Sequence, residues 1–482
     1  MSKEIRELAP KALWNKFADL NSVPRPSKKE EKVRQFMVDF GKKLNLETFV
    51  DTVGNVIIRK PASKGMENRT PIVMQSHLDM VCQKNNDTDF DFDTQGIEMY
   101  IDEDWVRARG TTLGADNGIG VASIMAILES DEIAHPQIDA LFTIDEETGM
   151  TGALGLEGGI LTGKILLNLD TEDDDELGIG CAGGVDITSK RKYKEVEPKK
   201  DAAGFKITVK GLRGGHSGMN IHEGRGNANK IMNRLLFNSV ARIAEIAGGS
   251  LRNAIPRESV AVVAVSENKV ADFKTQVQEF TAMIQAEFKT VEPNLTIVLE
   301  PVAAPKTVMT KKAQKQLLQA VYAAWNGVYR MSPDVSDLVE ASNNVARVVV
   351  KNGKIKIDNL TRSSVESTKW DLANTLLATY NANGFKVKMS GSYPGWQPNP
   401  DSKILHLMED LYQKTFNEKP NVMACHAGLE CGILGSNYPE MDMISFGPNI
   451  RGAHSPDERV SISSVQKYWP FLLEVLKQIP LK

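Results

Sequence analysis

Pro71-Ile72-Val73-Met74 leads within two residues into Ser76-His77-Leu78-Asp79, an apolar run that ends in an imidazole and a carboxylate. The same arrangement recurs along the chain. Ile138 to Ile144 is followed by Asp145-Glu146-Glu147-Thr148-Gly149, and Ile165-Leu166-Leu167 by Asn168-Leu169-Asp170. Met443-Ile444-Ser445-Phe446 stands shortly before Ala453-His454-Ser455-Pro456-Asp457. A fifth motif, Gly114-Ala115-Asp116-Asn117-Gly118, follows no strand-like run and precedes a helical one, Gly118 to Leu128. Short apolar runs that end in polar residues read as buried parallel strands. Open α/β sheets bind ligands beyond the carboxyl ends of such strands. The five motifs are therefore expected at one sheet edge.

Outward from these runs, the pattern is helical from about Leu13 to Leu46, with Ser27 a candidate N-cap. Strand-like and helical runs then alternate to about residue 180, which predicts βαβ units and a mixed or parallel sheet. The acidic run Thr171 to Glu176 reads as a solvated loop, and the glycines between Gly178 and Gly184 as a hinge or crossover. A second region, from about Phe205 to Met389, interleaves strands (Val260 to Val265, Val345 to Val350, Lys354 to Ile357) with helices (Asn227 to Ile243, Val270 to Lys289). Tyr393 to Pro398 reads as a linker, after which an α/β pattern returns. The predicted fold is α/β: a catalytic domain of residues 1–183 and 396–482, a mixed or parallel sheet flanked by helices, interrupted by a large α+β insertion at 184–395.

The 482 residues exceed what one core usually holds. The chain is 41% hydrophobic and 25% charged, as ordinary globular proteins are. A net charge of −4 gives no reason to expect nucleic acid as a partner. No apolar run reaches the ~20 residues of a membrane span, and Met1 to Glu7 carries no apolar signal core. Cys82, Cys181, Cys425 and Cys431 form no Cys-x-x-Cys pair, so neither a disulfide framework nor a thiolate zinc site is predicted. The expected compartment is the cytoplasm.

The motifs supply the ligands of a two-metal hydrolytic site. His77, Asp116 and Asp170 make one set and Asp116, Glu147 and His454 the other, with Asp116 shared. Two such ions acidify a water between them and polarise a carbonyl. Glu146 is the candidate general base, and Asp79 the partner of the second imidazole nitrogen of His77. In the insertion, Gly211-Leu212-Arg213-Gly214-Gly215-His216-Ser217-Gly218 opens a helix. His216 there is either part of a plain turn or a donor to an oxyanion. Asn253 is a similar donor or a turn residue. His135 is expected at the surface and His406 at the surface or in a structural contact, and His222 and His426 stand beside these segments without a defined role.

At these residues, together with Gly214-Gly215-His216-Ser217-Gly218, His426-Ala427-Gly428-Leu429-Glu430-Cys431-Gly432 and His454-Ser455-Pro456-Asp457-Glu458, the chain resembles the M20 family of dinuclear zinc peptidases and amidohydrolases. Within it, the resemblance is to the aminoacyl-histidine (Xaa-His, cytosolic non-specific) dipeptidases, over almost the whole chain. It implies two zinc ions per chain, replaceable by Co2+ or Mn2+, in the ligand sets above, with a cis peptide after Asp116. It implies that the insertion is a lid that also forms a homodimer. It implies hydrolysis of unblocked dipeptides such as β-alanyl-histidine, with no nucleic acid or membrane as partner. For the substrate termini, Arg362 is the candidate for the free carboxylate and Glu430 for the free amine. Two alternatives stand beside this reading: an N-acyl amino acid deacylase of the same superfamily, and a non-catalytic binding protein on the same fold. The intact Glu146 argues against the last.

Overall fold

The computed structural model describes residues 3–482. The described chain divides into two compact units. One takes in the chain up to Gly180 with Pro398–Ala424 and Leu429–Lys482; the other is Cys181–Gln397 with Cys425–Gly428.

The first unit is built on an eight-stranded mixed sheet. Its order is Glu47–Val50, Val56–Lys60, Ile138–Thr143, Ile72–His77, Ile165–Asn168, Asp442–Ser445, Glu176–Cys181 and Asn421–Cys425. Four adjacent strands in the middle, from Ile138–Thr143 to Asp442–Ser445, are mutually parallel. Ile72–His77, Ile138–Thr143 and Ile165–Asn168 are buried at every position, which is why they read as unbroken apolar runs. Their register brings His77 opposite Thr143 and Gln75 opposite Asn168. The helix Ala115–Glu129 is buried all round from Asn117 to Leu128, and packs against Ile72–His77 and the helix Lys11–Leu20. A side chain at Gly120 would collide with Ser76 Oγ at 2.4 Å and the Leu169 carbonyl at 2.5 Å. Glycine thus lets this helix lie directly on the strand ends. Lys60 Nζ donates to the carbonyls of Ile127, Leu128 and Ser130 at its C-terminus, where a cation complements the helix dipole.

The second unit is an antiparallel sheet in the order Thr296–Val302, Ala202–Lys210, Ser259–Ser266, Arg242–Gly248, Val339–Lys351, Lys354–Ser363, Gly183–Lys192, Lys386–Tyr393, with Gly327–Met331 also paired to Val339–Lys351. The helices Ala228–Phe237, Val270–Glu287, Lys311–Ala323 and Glu366–Ala382 complete a core that runs from Phe205 and Leu235 to Phe273, Leu317 and Tyr380.

Several sequence expectations are corrected. The helical stretch from Leu13 to Leu46 is two helices, Lys11–Leu20 and Glu31–Lys43, because Pro24 and Pro26 lie between them. Ser27 caps neither; its hydroxyl donates to Asp79 Oδ2 at 2.7 Å. The helix expected to Ile243 ends at Phe237, and a strand begins at Arg242. The Gly211–Gly218 segment leads only to a short 3-10 turn, Ile221–Glu223; the helix starts at Ala228. The glycines between Gly178 and Gly184 lie in two regular strands, and the chain passes from the first unit to the second between Gly180 and Cys181, the crossover that the sequence suggested. A Cβ at Gly183 would stand 2.4 Å from Gly395 N, so that glycine serves close backbone approach. The acidic run is tied down rather than solvated, with Asp173 paired to Arg451 and Asp174 to Lys467. His135 is 1% exposed, its Nδ1 2.7 Å from the Pro136 carbonyl oxygen.

Candidate metal centre

His77 ends a central strand, and Asp170 lies two residues past the end of its neighbour. Asp116 enters from the start of the buried helix, across a cis Asp116–Asn117 peptide bond. Nε2 of His77 lies 3.2 Å from Asp116 Oδ1 and 3.6 Å from Asp170 Oδ1. The other Asp116 oxygen, Oδ2, lies 3.2 Å from Nε2 of His454, which also stands 3.1 Å from Glu147 Oε2. Asp116 therefore divides its carboxylate between two imidazoles. Both triads, His77–Asp116–Asp170 and Asp116–Glu147–His454, bring one donor atom each to within 4.8 Å of one another. Glu146, beside Glu147, joins a third such group with His77 and Glu147.

The electrostatics follow from crowding acids in a buried place. Hydrogen bonds to Asp116 and Glu147 push His454 up to about 11. Burial alone would lower His77, but Asp170, Asp116 and Asp79 outweigh it and hold it well above its usual value. Burial would raise Asp116, but the two imidazoles hold it well below the usual carboxylate range. Burial raises Glu146 well above that range, with Asp170, Glu430 and Glu147 adding to it against His77.

The surrounding residues hold these groups in place. His77 Nδ1 is 3.1 Å from the Asp79 carbonyl oxygen and 3.4 Å from its carboxylate. That orients Nε2 toward the acids. The Asp79 carboxylate also accepts from the amides of Glu146 (3.1 Å) and Glu147 (3.2 Å). Glu30 accepts from the amide of Asp145, whose carboxylate accepts from Thr148 and Thr151. Glu30, Asp79 and Asp145 also form a buried acidic group, but backbone amides and hydroxyls already occupy it, and it serves as a clamp on the Glu146–Glu147 turn. Asn117 Nδ2 donates to Asp170 Oδ1 and to the Leu169 carbonyl.

A row of buried polar side chains crosses the sheet beneath. Ser445 donates to Asn168, Asn168 to Gln75, and Gln75 and Thr143 both to Glu430 Oε2, at 2.7 and 2.6 Å. Glu430 is 1% exposed, and burial pushes its carboxyl up to about 8. Its Oε2 is taken by Gln75 and Thr143, while its Oε1 is buried without a hydrogen-bond partner. The sequence reading missed this row and Glu458, whose carboxylate accepts four consecutive amides, from Leu113 to Asp116. A carboxylate four residues after His454 was the available signal.

In the second unit, Arg362 lies within the strand Lys354–Ser363 and is 4% exposed. Among the described residues its donors face Ser217 Oγ (3.4 Å), Tyr393 OH (3.1 Å) and His216 Nε2 (3.3 Å). His216 Nδ1 faces the amides of Gly218 and Met219, at 3.3 and 3.1 Å. Burial and then Arg362 lower His216 to about 4 and keep it neutral. Asn253 lies exposed in the adjoining turn, its carbonyl accepting from Ser217 N at 2.8 Å. His426, left without a role by the sequence, bonds Ser342 Oγ at 2.8 Å, and burial lowers it to about 3. His406 is exposed beside Glu409.

The donor set fits divalent transition ions, which take imidazole nitrogen and carboxylate oxygen. Glu147 Oε1 is buried with no hydrogen-bond partner, an acceptor that a cation would satisfy.

Residues 73–478 match the peptidase family M20/M25/M40. The chain is 45% identical over 483 residues to the cytosol non-specific dipeptidase of Escherichia coli (strain K12), covering 99% of this chain and 100% of that protein. It superposes on the crystal structure of the aminoacylhistidine dipeptidase from Vibrio alginolyticus with a TM-score of 0.94 at 43% identity, covering 100% and 99% of the two chains. Aminopeptidase PepT from Bacillus cereus ATCC 10987 shares the fold at a TM-score of 0.58 and 15% identity, over 98% of this chain and 99% of that one.

Proposed function

The chain belongs to the peptidase family M20/M25/M40, and from that premise we propose that it is a metal-dependent dipeptidase cleaving unblocked dipeptides, Xaa-His among them. The observation that carries the metal reading is the Asp116 carboxylate, each oxygen of which lies 3.2 Å from a different imidazole. His77, Asp116 and Asp170 would hold one ion, and Asp116, Glu147 and His454 the other. We assign zinc, with cobalt or manganese as substitutes. Such a pair of ions, when bound, polarises the scissile carbonyl and acidifies water.

The chain's own residues do the rest. Glu146 takes the water's proton on its carboxylate and delivers it to the leaving amine. Asp79 fixes the ring of His77 and, through two amides, the turn that carries Glu146. The Nε2–H of His216 is assigned to the developing oxyanion, Arg362 to the substrate's free carboxylate, and Asn253 as a further donor. That assignment is supported by a buried guanidinium whose direct contacts, Ser217, Tyr393 and His216, include no carboxylate. The two relatives named as dipeptidases, both matched over nearly their full length, support the substrate class. The name of the Escherichia coli protein supports a cytosolic site of action; among the described residues no helix is long and apolar enough to cross a membrane. We also propose that residues 184–395 act as a lid and that the protein works as a homodimer.

The test is one purified sample assayed on β-alanyl-histidine, on unrelated dipeptides and on N-acetyl amino acids. Turnover of free dipeptides is expected. Turnover confined to N-acetyl amino acids would replace this reading with a deacylase, and none at all with a binding protein.

A further inference from the structure

Glu458 stands outside every role assigned so far, yet it joins two of the segments that carry the centre. It follows His454 by four residues, and its amide donates to the Ser455 carbonyl, which closes the turn between them. The side chain is 2% exposed. Its Oε2 accepts from the amides of Leu113 (2.7 Å) and Gly114 (2.8 Å), and its Oε1 from those of Ala115 (2.7 Å) and Asp116 (3.2 Å). Four donors converge on one carboxylate at the N-terminus of the helix that begins with Ala115, where a negative charge is favoured.

From the opposite direction Arg25, also 2% exposed, donates to the Gly114 carbonyl at 2.5 Å and to the carbonyls of Leu78 and Asp79 at 3.2 and 3.3 Å. The backbone before Asp116 is thus held through its amides by Glu458 of the His454 loop, and through the Gly114 carbonyl by Arg25, which also donates to the carbonyls of Leu78 and Asp79. Removing either grip would free the Asp116 carboxylate to turn away from one imidazole.

We propose that Glu458 is a positioning residue, which sets Asp116 between His77 and His454 and thereby fixes the affinity for the pair of divalent ions. This rests on the metal reading above. The geometry asks for an acceptor with two oxygens. A glutamine would turn an N–H2 donor toward two amides and lose their bonds, whereas an aspartate keeps both oxygens on a shorter arm.

The experiment is zinc titration of chelator-stripped full-length protein against a chromophoric competitor, for wild type, Glu458→Gln and Glu458→Asp, with thermal melting of the stripped proteins in parallel. Glu458→Gln is expected to weaken zinc about 10–100-fold per folded chain. It should lower kcat while KM for a dipeptide stays within about 3-fold, and Glu458→Asp should recover part of both. Wild-type zinc affinity and kcat in Glu458→Gln would overturn the proposal, as would a loss of melting temperature in both variants without a change in zinc affinity. If neither variant folds, the role is structural and the proposal fails. Wild type that takes up no zinc would instead sink the metal reading itself.

Discussion

Nε2 of His77 lies 3.2 Å from Oδ1 of Asp116. The second oxygen of Asp116 is committed in the same way to His454 at 3.2 Å, so one carboxylate serves two otherwise separate donor sets. Asp116→Asn replaces one oxygen with a donor. Metal content by elemental analysis should fall to one ion per chain or fewer, and kcat by at least about 10³. Two retained ions with near-normal turnover would show that Asp116 is not shared.

Glu146→Gln should leave metal content and KM close to wild type but lower kcat by about 10²–10⁴, because an amide cannot accept the water's proton. Steady-state kinetics decides it; turnover within about tenfold of wild type would require another base.

Arg362→Met should raise KM for free dipeptides about 10–100-fold, the worth of a hydrogen bond to a charged group, and have little effect on the corresponding dipeptide amides. Arg362→Lys should recover little, because the planar fork is lost. Equal losses on acids and amides would count against a carboxylate role.

Glu430→Gln tests the buried row. Burial raises the Glu430 carboxyl to about 8, and glutamine keeps its size and an acceptor oxygen for Gln75 and Thr143. KM should stay within about 3-fold of wild type. A large rise in KM would return Glu430 to the substrate's amine.

His426 is lowered to about 3 by burial, against about 6.5 when unfolded. Between these values the unfolded chain binds the extra proton, so stability is full above about pH 6.5 and falls as pH drops, by at most about 1.4 kcal/mol per pH unit from this group. His426→Asn loses the Ser342 contact and should melt lower at pH 7.5, yet its melting temperature should decline less than that of wild type between pH 6.5 and 5. Parallel declines would contradict the assignment.

The strands Ile72–His77, Ile138–Thr143 and Ile165–Asn168 were legible in the sequence because each is buried at every position and ends within three positions of a site residue. The second unit was less so. The strand Val339–Lys351 begins with Glu340, Ser342, Asn343 and Asn344, all buried. Val345 to Val350 was read as a strand, but the polar first half was not, because its partners are distant: Asn344 donates to the carbonyls of Arg252 and Ala254. Glu458 was missed for the same reason. Its acceptor role depends on amides some 340 positions away in sequence, and no local pattern records that. Conversely, Ser27 looked like a helix cap from its neighbours alone, while its hydroxyl is used by Asp79.

The central claim, a dipeptidase run by two ions that share Asp116, is tested most directly by adding zinc back to chelator-stripped protein while following hydrolysis of β-alanyl-histidine. Activity should be absent at the start and rise to a plateau at two equivalents of zinc per chain. Full activity in protein that retains less than about a tenth of an equivalent of metal would contradict it.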